Sequence, residues 1–341
     1  MKPRRISLKD LAEQLGVSIA TVSRALRNSH EVGDEMKRRV QKLAKELNYR
    51  PNPFARSLRR EIPRVIGVVV PDLVTHYYAG VLNGIEERAR EEGYSVISSN
   101  SHESHEKEEV AIDNFIDLHV AGIIACLAQD TTQYDHFKAI HDMGIPLVFF
   151  ARTCLPELFS CVTGNGDIAA QEATEHLIAN GCRRIAFVGG PNHLDMVRRR
   201  KHGYLEALRE HRIPIDREIV ACGPINKEEM QQATERMLQL PNRPDAIIAF
   251  NDIATYAAFQ TIKRMGLRIP DDVALVGFTD TDTCEYVNPR ISTIEDQANL
   301  QGRKACEMLL KHINGETKIR KEVVPMVLKI RESSGEVKSE K

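Results

Sequence analysis

Apolar residues in the first 48 positions recur every three or four residues, which predicts short amphipathic helices. The first helix covers 8–15, starts after Ser7 as an N-cap and ends at Gly16, which tolerates positive φ. A three-residue turn leads to a second helix, capped by Ser18, and a third helix is predicted at about 34–47. Two helices joined by a short glycine-containing turn fit the helix-turn-helix geometry.

The second helix has two unlike sides. At about 100° per residue, one side carries apolar residues and the other carries small side chains and arginines. The apolar side, Val22, Ala25 and Leu26, is predicted to pack on the first helix, and the other side, Ala20, Ser23, Arg24 and Arg27, to face outward. Such a side suits close approach to another surface. The alternative is a small helical bundle whose charges are merely solvated.

From residue 64 the pattern changes to short β-branched runs that alternate with amphipathic helices. This alternation predicts parallel sheets covered by helices on both faces, in two series at about 64–163 and 164–290. A further helix near 297–314 and a final strand, 322–333, follow. The predicted fold class is α/β: a three-helix head and a hinge helix, then two doubly wound parallel-sheet subdomains like those of periplasmic binding proteins.

These patterns divide the chain into four segments. We expect a helix-turn-helix domain, a hinge helix, a ligand-binding and dimerisation core, and a flexible tail. Their predicted bounds are 1–50, 51–63, 64–332 (subdomains 64–163 plus 294–322, and 164–290 plus 323–332) and 333–341.

Charge is distributed unevenly between the head and the core. Residues 1–60 hold fifteen Lys and Arg against six Asp and Glu, whereas the other 281 residues hold 32 against 42. A basic head on an acidic body predicts a polyanion-binding domain joined to a domain with another task.

The cysteines and the N-terminus indicate the compartment. Seven cysteines without a CxxC pair favour reduced thiols, and the start MKPRRISLKDL lacks the apolar run of a signal peptide. No apolar stretch approaches the roughly 20 residues that a membrane span needs. We therefore expect a cytoplasmic protein without a membrane partner.

The segment between head and core can form a short helix that is marginal alone. Asn52 followed by Pro53 is a helix start, and Ala55 is small enough for two copies to pack closely. Leu58 is a large apolar side chain among arginines, which is typical of a wedge inserted into the minor groove of DNA. The alternative is a basic linker whose Leu58 packs on the core.

The runs LKDLAEQLGVSIATVSRAL and YRPNPFARSL closely resemble the DNA-binding head and hinge of the LacI/GalR family of bacterial transcription regulators, and the resemblance continues through the core. It implies a homodimer that reads a near-palindromic double-stranded operator, with the second helix in the major groove.

The resemblance also implies roles for residues of the head and hinge. Arg24 would contact a guanine edge, and Ile19 and Ala20 would contact thymine methyls, although Ile19 could instead pack against the turn. Ala55 and Leu58 would enter the minor groove. Phosphate contacts would come from Ser7, Ser18, Thr21, Ser23 and Asn28.

The polar residues that follow the core strands match the family's effector pocket, which implies a sugar or sugar derivative as ligand. The candidates are Tyr77, Tyr78, Arg200, Asn251 and Asp280. Forked donors, carboxylate acceptors and an aromatic face suit a polyhydroxylated ligand. Asn251 and Asp280 could instead be a helix cap and a turn residue.

Two positions depart from the family pattern. Ala151 stands where many members have an aspartate, and Thr279 replaces an aspartate that often precedes Asp280. The loss of two acceptors argues against an ordinary free hexose and leaves a modified sugar, an oligosaccharide or a phosphorylated ligand open. The run Arg198 to Lys201 also keeps an anionic ligand open, although a solvated helix face would explain most of it.

No motif for catalysis, cofactor binding or metal binding is present in the sequence. GxGxxG, GxxxxGK[ST] and GxSxG are absent, and His102 and His105 lie among glutamates at a predicted helix start, where solvation is the usual state. We therefore expect no enzyme, no cofactor and no metal. The rival functions are a two-lobed sugar-binding protein and a sugar-metabolising enzyme.

Overall fold

The computed structural model describes residues 6–26, 28–47, 49 and 64–335. The chain divides into two compact units between residues 63 and 64, and each is described by itself.

The head is a three-helix domain around a small apolar core. Leu11, Val22 and Val40, one from each helix, are fully buried at its centre. Gly16 ends the first helix in the left-handed conformation, with φ of 64°. The helices are α1 (Leu8–Leu15), α2 (Ile19–Leu26) and α3 (Asp34–Glu46).

The core unit contains two six-stranded sheets, each covered on both faces by helices. Twelve strands are formed in the described part of the chain: β1 (Val65–Val70), β2 (Ser95–Asn100), β3 (Gly122–Ala125), β4 (Leu147–Phe150), β5 (Ser160–Gly164), β6 (Ile185–Gly189), β7 (Val220–Cys222), β8 (Ala246–Ala249), β9 (Ala274–Phe278), β10 (Ser292–Glu295), β11 (Lys321–Val324) and β12 (Val327–Lys329). The helices are α4 (His76–Glu91), α5 (His105–Asp117), α6 (Asp135–Asp142), α7 (Gly166–Ala179), α8 (Asp195–Glu210), α9 (Lys227–Leu238), α10 (Asp252–Arg264), α11 (Thr283–Tyr286) and α12 (Ala298–Ile313).

The first lobe has the strand order β11-β5-β4-β3-β1-β2 and is parallel throughout. The second lobe has the order β12-β10-β9-β8-β6-β7, and only β12 runs antiparallel to its neighbour. The carboxyl ends of the parallel strands therefore lie at one edge of each sheet, where ligands of doubly wound folds bind. The predicted helical head and two doubly wound subdomains are confirmed, and the predicted hinge helix lies outside the described residues.

The chain passes between the lobes three times. The passages lie between β5 and α7, between β10 and α12, and between β11 and β12. The predicted final strand is in fact two strands in different sheets, because Pro325 has no N–H for a ladder and Met326 N bonds to Asn165 Oδ1 at 2.6 Å instead. The last passage thus follows Val324, two residues beyond the expected boundary.

Two strands, β5 and β10, are absent from the sequence prediction. Their sequences, SCVTG and STIE, are short and half polar, so they lack the apolar signal of the other strands. No helix in the part of the chain that the structure describes is long and apolar enough to cross a membrane.

Candidate functional site

The outward side of α2 carries the residues predicted to touch bases. Ile19 is 48% exposed, and Ala20 is exposed beside it. Arg24 is half exposed and forms a 2.9 Å ion pair with Glu31. An exposed pair of this kind is weak, which leaves the guanidinium available to a stronger partner.

The residues predicted to contact phosphates mostly hold the local turns. Ser7 and Asp10 form a reciprocal capping box at the start of α1, and Ser18 Oγ accepts from Thr21 N at 3.1 Å. Asn28, at φ of 53°, accepts from Gln41 Nε2 at 2.8 Å. Ser23 is partly buried. Ala55 and Leu58 lie outside the described residues.

A cleft of about 790 Å³, partly open to solvent, lies between the two lobes. Each wall consists of residues at the carboxyl ends of strands and in the loops and helices that follow them. Those that the following paragraphs use are Tyr77, Tyr78, Glu103, Arg152, Arg199, Arg200, Asn251, Asp252, Thr279, Asp296 and Gln301.

Arg200 is the central cation of the cleft. It is 5% exposed, it donates through Nη1 to the carbonyl oxygen of Phe250, and its Nη2 lies 3.1 Å from Asp296 Oδ1. Its guanidinium also stacks 4.0 Å from the centroid of the Phe278 ring. Burial lowers the pKa of Arg200 and raises that of Asp296, because both charges lose water, and the ion pair opposes both shifts.

Gly203 places Arg200 in this position. A Cβ at Gly203 would lie 1.8 Å from the carbonyl oxygen of Asp167, so only glycine lets α8 lie this close to α7. The spacing Arg-x-x-Gly therefore places Arg200 in the cleft and, one turn later, Gly203 at the contact between α8 and α7.

The two tyrosines are positioned by other groups of the cleft. Tyr77 donates to Gln301 Oε1 at 2.8 Å, and Gln301 donates to the carbonyl oxygen of Asp296 at 2.6 Å. Tyr78 is buried with its ring edge-on to Tyr77. Burial raises the pKa of both phenols well above 10, so both stay neutral donors.

Of the five residues predicted to bind the effector, the structure brings Tyr77, Tyr78, Arg200 and Asn251 together at the cleft. The Asn251 side chain caps α10 by accepting from Ala254 N at 2.9 Å, so only its amide nitrogen is left for a ligand.

Asp280 is not among the cleft-lining residues. Its two oxygens accept from Arg331 at 2.8 and 3.1 Å. Thr279 lines the cleft in its place, at φ of 73°, and donates to Asp296 Oδ2 at 2.6 Å.

The pair of Arg152 and Glu103 is absent from the sequence prediction. Arg152 is buried and forms a forked pair with Glu103, at 2.7 and 3.0 Å. Glu103 thus supplies a carboxylate to this wall, where Ala151 stands in place of an aspartate. Nothing local in the sequence links Arg152 to Glu103, which lies 49 residues earlier.

Asp252, next to Asn251, is a further carboxylate of the cleft. Its Oδ1 accepts from Ile253 N at 2.9 Å, and no Lys or Arg of the described residues pairs with it. Burial raises its pKa to about 6, against the opposing effect of the backbone hydrogen bond. It is therefore a carboxylate that faces the cleft without a cation.

Two family models match the chain. One, described as bacterial regulatory proteins, lacI family, covers residues 7–52, and the other, described as a periplasmic binding protein-like domain, covers 174–334. The HTH-type transcriptional repressor CytR of Escherichia coli (strain K12) is 31% identical over 312 residues, which cover 91% of this chain and 90% of CytR.

Solved structures agree with these matches. The lac repressor dimer bound to operator and the anti-inducer ONPF is 25% identical with a TM-score of 0.85, over 98% of this chain and 100% of that one. The complex of the transcriptional regulator CelR with cellobiose is 27% identical with a TM-score of 0.74, over 96% and 100%. The chain therefore belongs to the LacI family of bacterial transcription regulators.

Proposed function

We propose that this DNA-binding transcriptional regulator is a repressor controlled by a neutral, polyhydroxylated ligand bound in the cleft, at the scale of a mono- or disaccharide. The observation that carries the proposal is the charge pairing of the cleft. Each guanidinium already has a carboxylate partner, whereas the carboxylate of Asp252 has no cation among the described residues.

The arginines of the cleft are neutralised before any ligand enters. The pairs are Arg152 with Glu103, Arg200 with Asp296 and Arg199 with Asp167. To reach Arg152 or Arg200, an anionic ligand would have to displace Glu103 or Asp296, and breaking a buried pair costs several kcal/mol. The Arg199–Asp167 pair is partly exposed. Neutral hydroxyls can instead donate to the carboxylates that remain open on one side.

Asp252 is suited to accept from ligand hydroxyls. Its burial makes its charge costly, so a donor that bonds to it gains more than it would in water. The tyrosines of the opposite lobe add a ring face and the amide nitrogen of Asn251 adds a donor. The relative CelR, solved with cellobiose, supports a neutral saccharide of this size.

For the DNA side, we propose that two copies bind one near-palindromic operator through α2, with Arg24 at a base edge and Ile19 and Ala20 at thymine methyls. The support is the exposure of all three side chains, together with the family match over residues 7–52. The lac repressor relative was solved as a dimer on operator. Binding to the chromosome would place the protein in the cytoplasm.

We also propose that the ligand leaves the cleft unchanged. The carboxylates and arginines of the cleft are tied to each other or to backbone groups, which suits binding and not turnover. Recovering each ligand from incubation with the protein and finding it chemically intact would support this proposal, and a new product would contradict it.

The experiment has two stages. Duplexes enriched from a random library by the wild-type protein first supply an operator, and fluorescence anisotropy on that operator then screens ligands. The screen pairs neutral sugars with their uronic-acid and phosphate forms. We expect only neutral ligands to change operator affinity, and we expect Asp252→Asn to lose the response while Asp113→Asn, an exposed change on α5, keeps it. A response confined to the acidic forms would refute the neutral-ligand proposal.

A further inference from the structure

A cluster of two histidines and two glutamates lies where α5 meets α6 in the first lobe, apart from the cleft-lining residues. His105, Glu108 and Glu109 occupy one turn of α5, and His136 comes from α6. The two imidazole centroids are 5.0 Å apart. One nitrogen of each histidine and an oxygen of Glu108 all lie within 4.8 Å of one another.

Glu108 is fully buried, and three donors already engage it. Its Oε2 accepts from Ala128 N at 2.7 Å, and its Oε1 accepts from Thr131 Oγ1 at 2.8 Å. His136 Nε2 lies 3.1 Å from the same Oε1. Since the carboxylate accepts, the hydrogen of His136 is on Nε2, and its Nδ1 carries a free lone pair. A histidine held by a carboxylate through its far nitrogen is the usual arrangement of metal-binding histidines.

The lone pair of His136 Nδ1 has no hydrogen-bond partner among the described residues, although that side chain is only 6% exposed. Leaving such an acceptor unpaired costs about 1–3 kcal/mol in a protein interior. Nδ1 of His105 is likewise buried and unpaired. The orphaned Nδ1 of His136 therefore lacks a partner that a metal ion could supply.

The remaining carboxylate, Glu109, lies between the two histidines. Its Oε1 is 3.9 Å from His136 Nδ1 and 3.5 Å from His105 Nε2. Neither contact forms a hydrogen bond, but both separations are near the roughly 3.3 Å between ligands that share a tetrahedral zinc ion. Glu109 is half exposed, so it can move those few tenths of an ångström and leaves a side open for entry.

We propose that His105, Glu109 and His136 bind a divalent transition-metal ion, with Zn²⁺ as the best match. Two imidazoles and one carboxylate are a zinc ligand set, and the fourth position would take water. Glu108 is the positioning residue that orients His136. The sequence predicted no metal because His102 and His105 lie among glutamates at a helix start, where solvation is the usual state. His136, 31 residues after His105, completes the ligand set, and His102 is not part of it.

The test uses the full chain without a histidine tag. Equilibrium dialysis and calorimetry with Zn²⁺ measure stoichiometry and affinity, and Co²⁺ in place of zinc gives a visible spectrum that reports coordination geometry. The variants are His105→Ala, Glu109→Gln and His136→Ala. His141→Ala is the matched control, because His141 is an exposed histidine of α6 outside the cluster.

We expect one tightly bound Zn²⁺ per wild-type chain, and about a tenfold or greater loss of affinity in each cluster variant. His141→Ala should bind like wild type. His105 and Glu109 are partly exposed, so their variants keep the fold even if the buried His136→Ala destabilises it. Zinc should also raise the melting temperature of the wild type and not of His105→Ala. Equal zinc binding in all four variants, or no saturable binding to wild type, would overturn the proposal.

Discussion

Asp252→Asn is expected to change the stability of the second lobe and its ligand affinity in opposite directions. The wild-type carboxylate is buried at the start of α10, and its pKa rises from 3.8 to about 6, chiefly because burial disfavours the charge. The folded protein thus binds this proton more tightly than the unfolded chain does. Lowering the pH stabilises the fold through Asp252, and the stabilisation disappears as pH rises from about 4 to about 6.

The pKa shift of Asp252 sets the expected change in the free energy of unfolding. Two pKa units correspond to about 3 kcal/mol, which is the cost of keeping the charge buried at neutral pH. Asparagine removes that charge and can still accept the Ile253 N–H through its side-chain oxygen. We therefore expect the variant to be more stable than wild type at pH 8 by up to about 3 kcal/mol, and equal to it near pH 4. It should bind the effector about 10–100-fold more weakly, because a bond to a charged acceptor is lost.

Scanning calorimetry at pH 8 and pH 4 measures the first effect, and ligand titration at pH 8 measures the second. At pH 8 the unfolding transition of the core should rise by roughly 5 °C or more. Asp113→Asn, at an exposed site, should change neither quantity. A variant that is less stable at pH 8, or whose stability differs from wild type equally at both pH values, would refute the burial cost.

Three further substitutions test other parts of the molecule. Gly203→Ala should destabilise the second lobe by about 3 kcal/mol and weaken effector binding, because its Cβ would strike the Asp167 carbonyl and shift Arg200; a wild-type melting temperature would contradict this. Arg24→Ala should relax the preference at one base pair by ~1–3 kcal/mol per half-site in anisotropy with operator variants, whereas a uniform loss would indicate a phosphate contact. Leu58→Ala should weaken operator binding with an unchanged melting curve; unchanged affinity would remove the wedge role.

Most of the fold was predictable because its strands are buried on both faces. A run such as VIGVVV, β1, has no polar alternation and identifies itself as a central parallel strand. The strands that were not predicted, β5 and β10, lie immediately before passages between the lobes. Their polar residues bond to polar groups of neighbouring segments: Ser160 Oγ, for example, accepts from Arg320 N at 2.9 Å. Apolar periodicity cannot detect a strand whose partners are polar.

The cleft was predictable only where one local motif carries the geometry. Arg200 and Gly203 lie on one helix, so their spacing in the sequence predicts both the position of the guanidinium and the close helix contact. The pair of Arg152 and Glu103 joins two loops far apart in sequence, and no spacing rule connects them. Asp280 lies two residues after β9, as a ligand-binding carboxylate would, but Arg331, from the segment after β12, engages it.

The same distant contacts explain how the cleft can affect the arrangement of the lobes. Gln129 N donates to Glu103 Oε2 at 2.7 Å, so the carboxylate that holds Arg152 also holds this loop of the first lobe. Gln129 in turn contacts the second lobe: its carbonyl oxygen lies 2.6 Å from His193 Nε2, and its Oε1 accepts from Ile225 N at 2.8 Å. Glu103 therefore links the cleft to a loop that bonds to the second lobe. We expect a ligand hydroxyl that bonds to Glu103 to affect the inter-lobe contact of Gln129.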